Sequence, residues 1–327
     1  MADFVNIDDL RFACLKCGSC LGEQDQTIYG WHQRCFESVF KVVSSDRFTK
    51  LSRISSAAMA GSLDDSEDSN RPAQFHGHFP KYTMSLAGFS YIAKIGSKSG
   101  GYEGIALTEK VCNDIGRILG IPIAPNFHLI WFKDRPCFLV KNFMEGNHND
   151  LVHLASLWPK LKNGELEPYY LETLIPLIKK AVSYNASRIV IFTLIFDYLI
   201  GNGDRHRQNI GFIRSAKGMV LAPIYDSVSD LGLEQEEFLD PADKMHPSMR
   251  VTYKMQTNAD IDGYFEIIAQ LGFKKEIGIF VSKIRSKQRE ILEQIRLSFL
   301  TKNLKACLYE LVERRSSEME AAWSKIQ

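Results

Sequence analysis

No stretch of this 327-residue sequence is long and apolar enough to cross a bilayer. Its most apolar run, Ile189 to Ile200, falls short of the roughly 20 residues a spanning helix needs and is broken by Asp197, so it reads as a buried helix. No basic segment followed by an apolar core stands at Met1-Ala2-Asp3-Phe4, and no secretory leader is expected. Charge of one sign is also missing: 40 Lys and Arg against 39 Asp and Glu leave a net +1. That excludes bulk attraction to nucleic acid or to an anionic membrane, and the Lys- and Arg-rich last third reads as solvated helix faces. Cysteine is too scarce and unevenly placed for a disulfide framework. There are seven, an odd number, and four of them fall at or before Cys35. A reduced, cytoplasmic protein with one local cysteine cluster is the expectation.

What is present has the texture of two lobes. With 24% charged and 45% hydrophobic residues the chain lies in the ordinary folded range. A Cys-rich segment occupies 1–45. A strand-rich region, 46–147, opens with a polar stretch around Ser62 to Asn70 that reads as a loop. Strands are expected at Tyr82 to Leu86, Ser90 to Ile95, Phe127 to Phe132 and Cys137 to Phe143, with a helix from Ile105 to Leu119 stopped by Gly120 and Pro122. Region 148–327 is helical, with apolar residues at three- and four-residue steps in Leu171 to Ala181, Ala186 to Leu199 and Tyr264 to about Arg315. One hairpin interrupts it: Ile210 to Ile213, a Lys217-Gly218 turn, then Met219 to Ala222. Strands first and helices afterwards predict an α+β, bilobal fold.

The chemistry is concentrated in Gly203-Asp204-Arg205-His206-Arg207-Gln208-Asn209, which follows the buried helix and precedes the hairpin. Phosphoryl transfer asks for a carboxylate that orients and deprotonates the attacking hydroxyl, and for oxygen ligands to Mg²⁺. Asp204 suits the first task. Asn209 can offer an amide oxygen to the metal, and His206 lies between them. The hairpin returns the chain to Leu221-Ala222-Pro223-Ile224-Tyr225-Asp226, which should bring Asp226 beside Asn209 as a second metal ligand. Lys94 ends an apolar strand where it could hold ATP phosphates, with Glu109 on the next helix to aim it.

Cys14-x-x-Cys17 and His32-x-x-Cys35 form two pairs of the spacing that converges on tetrahedral Zn²⁺, with Cys20 as a competing ligand. Such a site would staple a segment too small to fold alone. Cys112, Cys137 and Cys307 have apolar neighbours and read as core.

With these residues in view, the chain from about Gly77 to Arg315 resembles the HipA family of bacterial serine/threonine toxin kinases. Gly77-His78-Phe79-Pro80-Lys81 stands where the family has a Gly-x-Gln-x-Lys phosphate loop, and Tyr91 to Lys94 looks like its ATP-lysine strand. Gly201 to Asn209 and Leu221 to Asp226 are similar to its catalytic loop and metal motif, and Ser298-Phe299-Leu300 to its helical ending. The resemblance implies a kinase-like fold with a strand-rich N-lobe and an all-helical C-lobe. It implies Asp204 as base, Asn209 and Asp226 as Mg²⁺ ligands, Lys94 on ATP with Glu109 orienting it, and adenine near Val140 to Phe143. It further implies a protein substrate, since relatives phosphorylate a serine on an aminoacyl-tRNA synthetase and halt translation. The implied partner is an antitoxin carrying a DNA-binding helix-turn-helix. The little sequence ahead of the motifs is similar to the short-form, HipT-like members. The serines that members often place before the glycine are replaced by Gln74-Phe75-His76, and Ser55, Ser56 and Ser62 lie nearby.

Three other readings stay open. The catalytic loop is also similar to that of phosphoinositide kinases, which carry Asp-Phe-Gly where this chain has Tyr225-Asp226-Ser227. Aminoglycoside-type phosphotransferases share Asp-x-His-x-x-Asn. A pseudokinase binding module would fit the altered Gly77 loop.

Overall fold

Alternation of apolar and polar residues builds the first lobe, and a continuous apolar helix builds the second. In the computed structural model, residues 7–42, 52–54, 81–96, 104–144, 149–162, 164, 166–234, 239–241, 251–252, 254 and 260–327 are described, 52–54 and 81 by backbone only. The N-terminal segment forms a short hairpin, β1 (Thr27–Ile28) and β2 (Trp31–His32), running directly into helix α1 (Gln33–Phe40). Tyr29 and Gly30 make its turn, both at positive φ (50° and 77°), which sets the right-handed twist a two-residue hairpin requires.

Five antiparallel strands follow: β3 (Ser52–Ile54), β4 (Lys81–Leu86), β5 (Phe89–Ile95), β6 (Phe127–Phe132) and β7 (Arg135–Lys141), in the order β3-β4-β5-β7-β6. Cross-strand register sorts their side chains into two faces. Tyr91, Ala93 and Ile95 pair with Lys141, Leu139 and Cys137, and Leu139 and Cys137 pair with His128 and Ile130. Lys94, Phe138 and Leu129 share the opposite face, since side chains alternate along a strand. Helix α2 (Ile105–Ile118) covers that second face, with Lys110 and Arg117 over the Phe127 ring at 5.3 and 5.5 Å.

The second lobe is built on α3 (Leu171–Ala181) and α4 (Tyr184–Ile200). Ser183 caps α4 by accepting from Ala186 N (3.1 Å), and Gly201 ends it in the left-handed region at φ 71°, where a Cβ would lie 2.9 Å from Leu311 Cδ2. α4 is apolar around its whole circumference because it runs through the middle of the lobe, packed by α3, α6 (Lys274–Arg296) and α7 (Lys302–Ile326), with α5 (Ile261–Ile268) against α7.

Three details differ from the sequence reading. The lobe is not all helix: β9 (Gly211–Ser215) and β10 (Gly218–Leu221) are joined by β8 (Asp150–His153) into a three-stranded sheet. β8 has only four residues, Asp150-Leu151-Val152-His153, too few to show a period. The hairpin turn sits at Ala216-Lys217, one residue earlier than expected, because Gly218 at φ 122° opens β10 opposite Ser215. Finally, α7 runs past Arg315 to Ile326, since Val312, Met319 and Ala322 continue its buried stripe.

Candidate active site

The loop after α4 is shaped by a buried carboxylate. Asp197 sits in an apolar helix, and such a group needs a partner. Arg205 supplies it through two parallel bonds, Nε to Oδ2 at 2.8 Å and Nη2 to Oδ1 at 2.9 Å, while Asn202 donates to Oδ1 at 2.8 Å. Burial pushes the Asp197 carboxyl upward, opposed by Arg205 and Asn202. Burial also works against the guanidinium charge, but Asp197 outweighs it and holds Arg205 protonated. The remaining donors of Arg205 fasten the surroundings: Nη1 to the carbonyls of Tyr225 (2.6 Å) and Asn209 (3.2 Å), Nη2 to Ser227 Oγ (3.0 Å). One nitrogen thus joins the stretch carrying Asn209 to the stretch carrying Asp226.

The candidate residues are arranged on this frame. Asp204 N is held by Asn202 Oδ1 (3.1 Å), and Asp204 O accepts from Asn209 Nδ2 (2.9 Å). Committing the NH₂ end of Asn209 to the loop leaves its amide oxygen as the end that could meet a metal. His206 Nδ1 accepts from Gln208 N at 3.1 Å, which places the ring proton on Nε2, the atom 3.9 Å from Asp204 Oδ2. Gly203 N donates to Asp230 (3.1 Å), whose burial raises its carboxyl to about 7 against that bond.

Across the cleft, Lys94 on β5 bonds Glu109 Oε1 of α2 at 2.5 Å and also bonds Asp226 Oδ1. Burial disfavours its charge, yet the two carboxylates outweigh this and raise the Lys94 pKa. Asp226 itself stands at φ 53°, a conformation that non-glycine residues seldom adopt. Asn113 of α2 donates to Glu109 O (2.6 Å) and Ser227 O (3.4 Å), tying the helix to the Asp226 stretch. Tyr225 Oη bonds Gln208 O (3.1 Å) and lies 3.2 Å from His153 Nδ1, and its ring stacks on Phe143 at 6.0 Å. Val140 pairs with Ile92 on the Lys94 face of the sheet. Phe143 thus meets Tyr225 of the second lobe, while Val140 lies on the Lys94 face of the sheet.

Lys81 pairs by backbone with Lys94, while Gly77, Ser55, Ser56 and Ser62 lie outside the described residues. Sequence reasoning missed Arg205, Asn202, Asn113, Ser227 and Asp230 as supports. The interruption of an apolar helix by Asp197 was the available signal for the first. Away from the cleft, Cys14, Cys17, His32 and Cys35 place one ligand atom each within 4.8 Å of one another, whereas Cys20 pairs by backbone with Ala13 and stands outside the group. Cys112, Cys137 and Cys307 are buried, as expected of core.

Comparison with known proteins bears on this arrangement. The family model of the HipA-like C-terminal domain matches residues 73–302, more than half of the chain. The chain belongs to this HipA-like family. The fold is correspondingly kinase-like. It superposes on the Helicobacter pylori proinflammatory kinase CtkA with a TM-score of 0.59 at 19% identity, covering 75% of this chain and 90% of that one. It also matches HipA from Shewanella oneidensis MR-1, solved with HipB and operator DNA, with a TM-score of 0.55 at 16% identity, covering 85% and 72%. No curated protein sequence matches the chain. Among the described residues, no helix of this HipA-like protein is long and apolar enough to cross a membrane.

Proposed function

We propose that this chain is an ATP- and Mg²⁺-dependent serine/threonine protein kinase of a toxin–antitoxin system. The observation that carries the reading is the junction of Lys94, Glu109 and Asp226, which brings residues 132 positions apart into one ion-paired group at the lobe boundary. A lysine held between two carboxylates is positioned to take the α- and β-phosphates, with Glu109 retaining its aim. Asn209 and Asp226, clamped by one guanidinium, offer hard oxygen donors of the kind Mg²⁺ takes one or two at a time. Bound there, the metal would neutralise charge between the β- and γ-phosphates. Asp204 orients the acceptor hydroxyl and receives its proton, and the Nε2–H of His206 faces that carboxylate.

The acceptor is a protein serine, and the resemblance points to an aminoacyl-tRNA synthetase, whose modification would inhibit translation. An antitoxin partner with a DNA-binding helix-turn-helix is supported by the Shewanella assembly of HipA with HipB and DNA.

The test is to incubate the protein and its Asp204→Asn variant with γ-labelled ATP and Mg²⁺, using either bacterial extract or phosphoinositide vesicles. Label on protein that is lost in the variant is expected. Asp204-dependent label on lipid would replace this reading by the lipid-kinase one, and no Asp204-dependent label would leave a nucleotide-binding module.

A further inference from the structure

Cysteines and a histidine that the phosphotransfer reading leaves unused converge in the N-terminal segment. We propose that Cys14, Cys17, His32 and Cys35 bind one structural Zn²⁺, and that this metal holds a cover on the face of the N-lobe sheet opposite Lys94.

The geometry is that of a closed tetrahedral site. Bond lengths of about 2.3 Å to sulfur and about 2.0–2.1 Å to nitrogen separate tetrahedral ligand atoms by about 3.5–3.8 Å. The four ligand atoms lie within 4.8 Å of one another, and the Cys17 Sγ to His32 Nδ1 separation is 3.6 Å. Local structure explains the convergence. Gly18 (φ 75°) turns the chain after Cys17 and its N–H donates to Cys14 O at 2.8 Å, folding Cys14-Leu15-Lys16-Cys17 into a knuckle. The β1–β2 hairpin then delivers His32, and the first turn of α1 delivers Cys35.

The surroundings suit a metal too. His32 N donates to Cys14 Sγ (3.4 Å), the bond a thiolate ligand favours. With Nδ1 toward the metal, Nε2 faces Asp25 Oδ2 at 3.5 Å, the carboxylate–histidine arrangement that fixes a ligand imidazole. Asp25 is itself held by Gly22 N (2.6 Å). Three soft thiolates and an imidazole select Zn²⁺ over hard cations, and four protein ligands leave no open position for catalysis.

What the metal supports follows from the packing. Trp31, directly before His32, donates Nε1 to Leu129 O at 2.7 Å, and Tyr29 O accepts from Trp131 N at 2.8 Å. Phe40 of α1 packs on Tyr91 (5.7 Å) and His128 (5.1 Å), both on the sheet face opposite Lys94. Apart from a 3₁₀ helix (Ile7–Phe12), a two-strand ladder and one short α-helix, the segment has little regular structure of its own, so the metal supplies what its small core does not.

The test uses the full chain expressed in zinc-replete medium and desalted. Elemental analysis is expected to give about one zinc per chain, and Co²⁺ exchange to give thiolate-to-cobalt charge transfer with intense tetrahedral visible bands. Cys20→Ser should keep the full complement, Cys17→Ser should lose most of it, and stripping zinc from the wild type should lower its thermal midpoint. Less than about half an equivalent in the wild type, or octahedral cobalt spectra, overturns the site. Undiminished zinc in Cys17→Ser, or a midpoint indifferent to stripping, overturns the assigned ligands or the supporting role. None of these measurements reads phosphotransfer.

Discussion

Arg205 and Asp197 meet in a two-pronged ion pair at 2.8 and 2.9 Å, with only 1% and 4% of their side chains exposed. The loop carrying Asp204 and Asn209 is therefore fastened to the helix that precedes it. Breaking a buried pair leaves the surviving charge uncompensated, which costs about 3–5 kcal/mol. Arg205→Ala should lower stability by that order and abolish phosphotransfer. Arg205→Lys should also fail, because an ammonium cannot reproduce the fork and the two carbonyl contacts together. Thermal melts with an activity assay check both.

Lys94→Met removes the ammonium shared by Glu109 and Asp226. Losing a positioned electrostatic group of this kind typically costs about 10²–10³ in turnover. Nucleotide affinity and rate should fall together in single-turnover kinetics. Glu109→Gln should be milder, since it keeps an acceptor for Lys94 and loses only the charge.

Asp230 makes stability depend on pH in an unusual direction. Burial raises its folded pKa to about 7, well above the ordinary carboxylate value of 3.8, so the folded state keeps a proton that the unfolded state releases. This contribution is fully present below about pH 4 and is lost as pH rises through about 7. Asp230→Asn should therefore be more stable than wild type at pH 8, by an amount on the order of 4 kcal/mol, with the gap closing towards pH 4. Denaturant midpoints at the two pH values measure it.

Gly211 leaves room for the Tyr225 hydroxyl: a Cβ there would lie 2.8 Å from it and 3.0 Å from Leu151 Cδ1. Gly211→Ala should cost about 1–3 kcal/mol through overpacking and displace the ring that stacks on Phe143. Reduced stability with weakened nucleotide binding is expected, and Tyr225→Phe should show the smaller loss of the hydroxyl's bonds alone.

Much of this organisation was legible in the sequence because it rests on periodicity and stop signals. Gly120 and Pro122 stop α2, and the glycine at 201 ends α4, clearly enough to place those helix ends within a residue or two. Asp204, Asn209 and Asp226 could be assembled because a short hairpin fixes their separation. β8 was not legible, since its pairing with β9 is a contact across about sixty residues that leaves no local mark. The supporting set was hidden for a similar reason. Asn113 and Ser227 are ordinary polar residues until the fold brings them 3.4 Å apart.

Asn113 has a consequence for control. One amide nitrogen grips both Glu109 O on α2 and Ser227 O beside Asp226. Near the start of the same helix, a Cβ on Gly232 would fall 2.4 Å from Thr108 Oγ1, so helix and chain are in contact there too. An outward swing of this helix would break the Asn113 bond to Ser227 O and open the contact at Gly232. A brake that drew Glu109 away would therefore pull on the Asp226 stretch as well, and the proposed phosphate-aiming and metal-holding groups would be disturbed together.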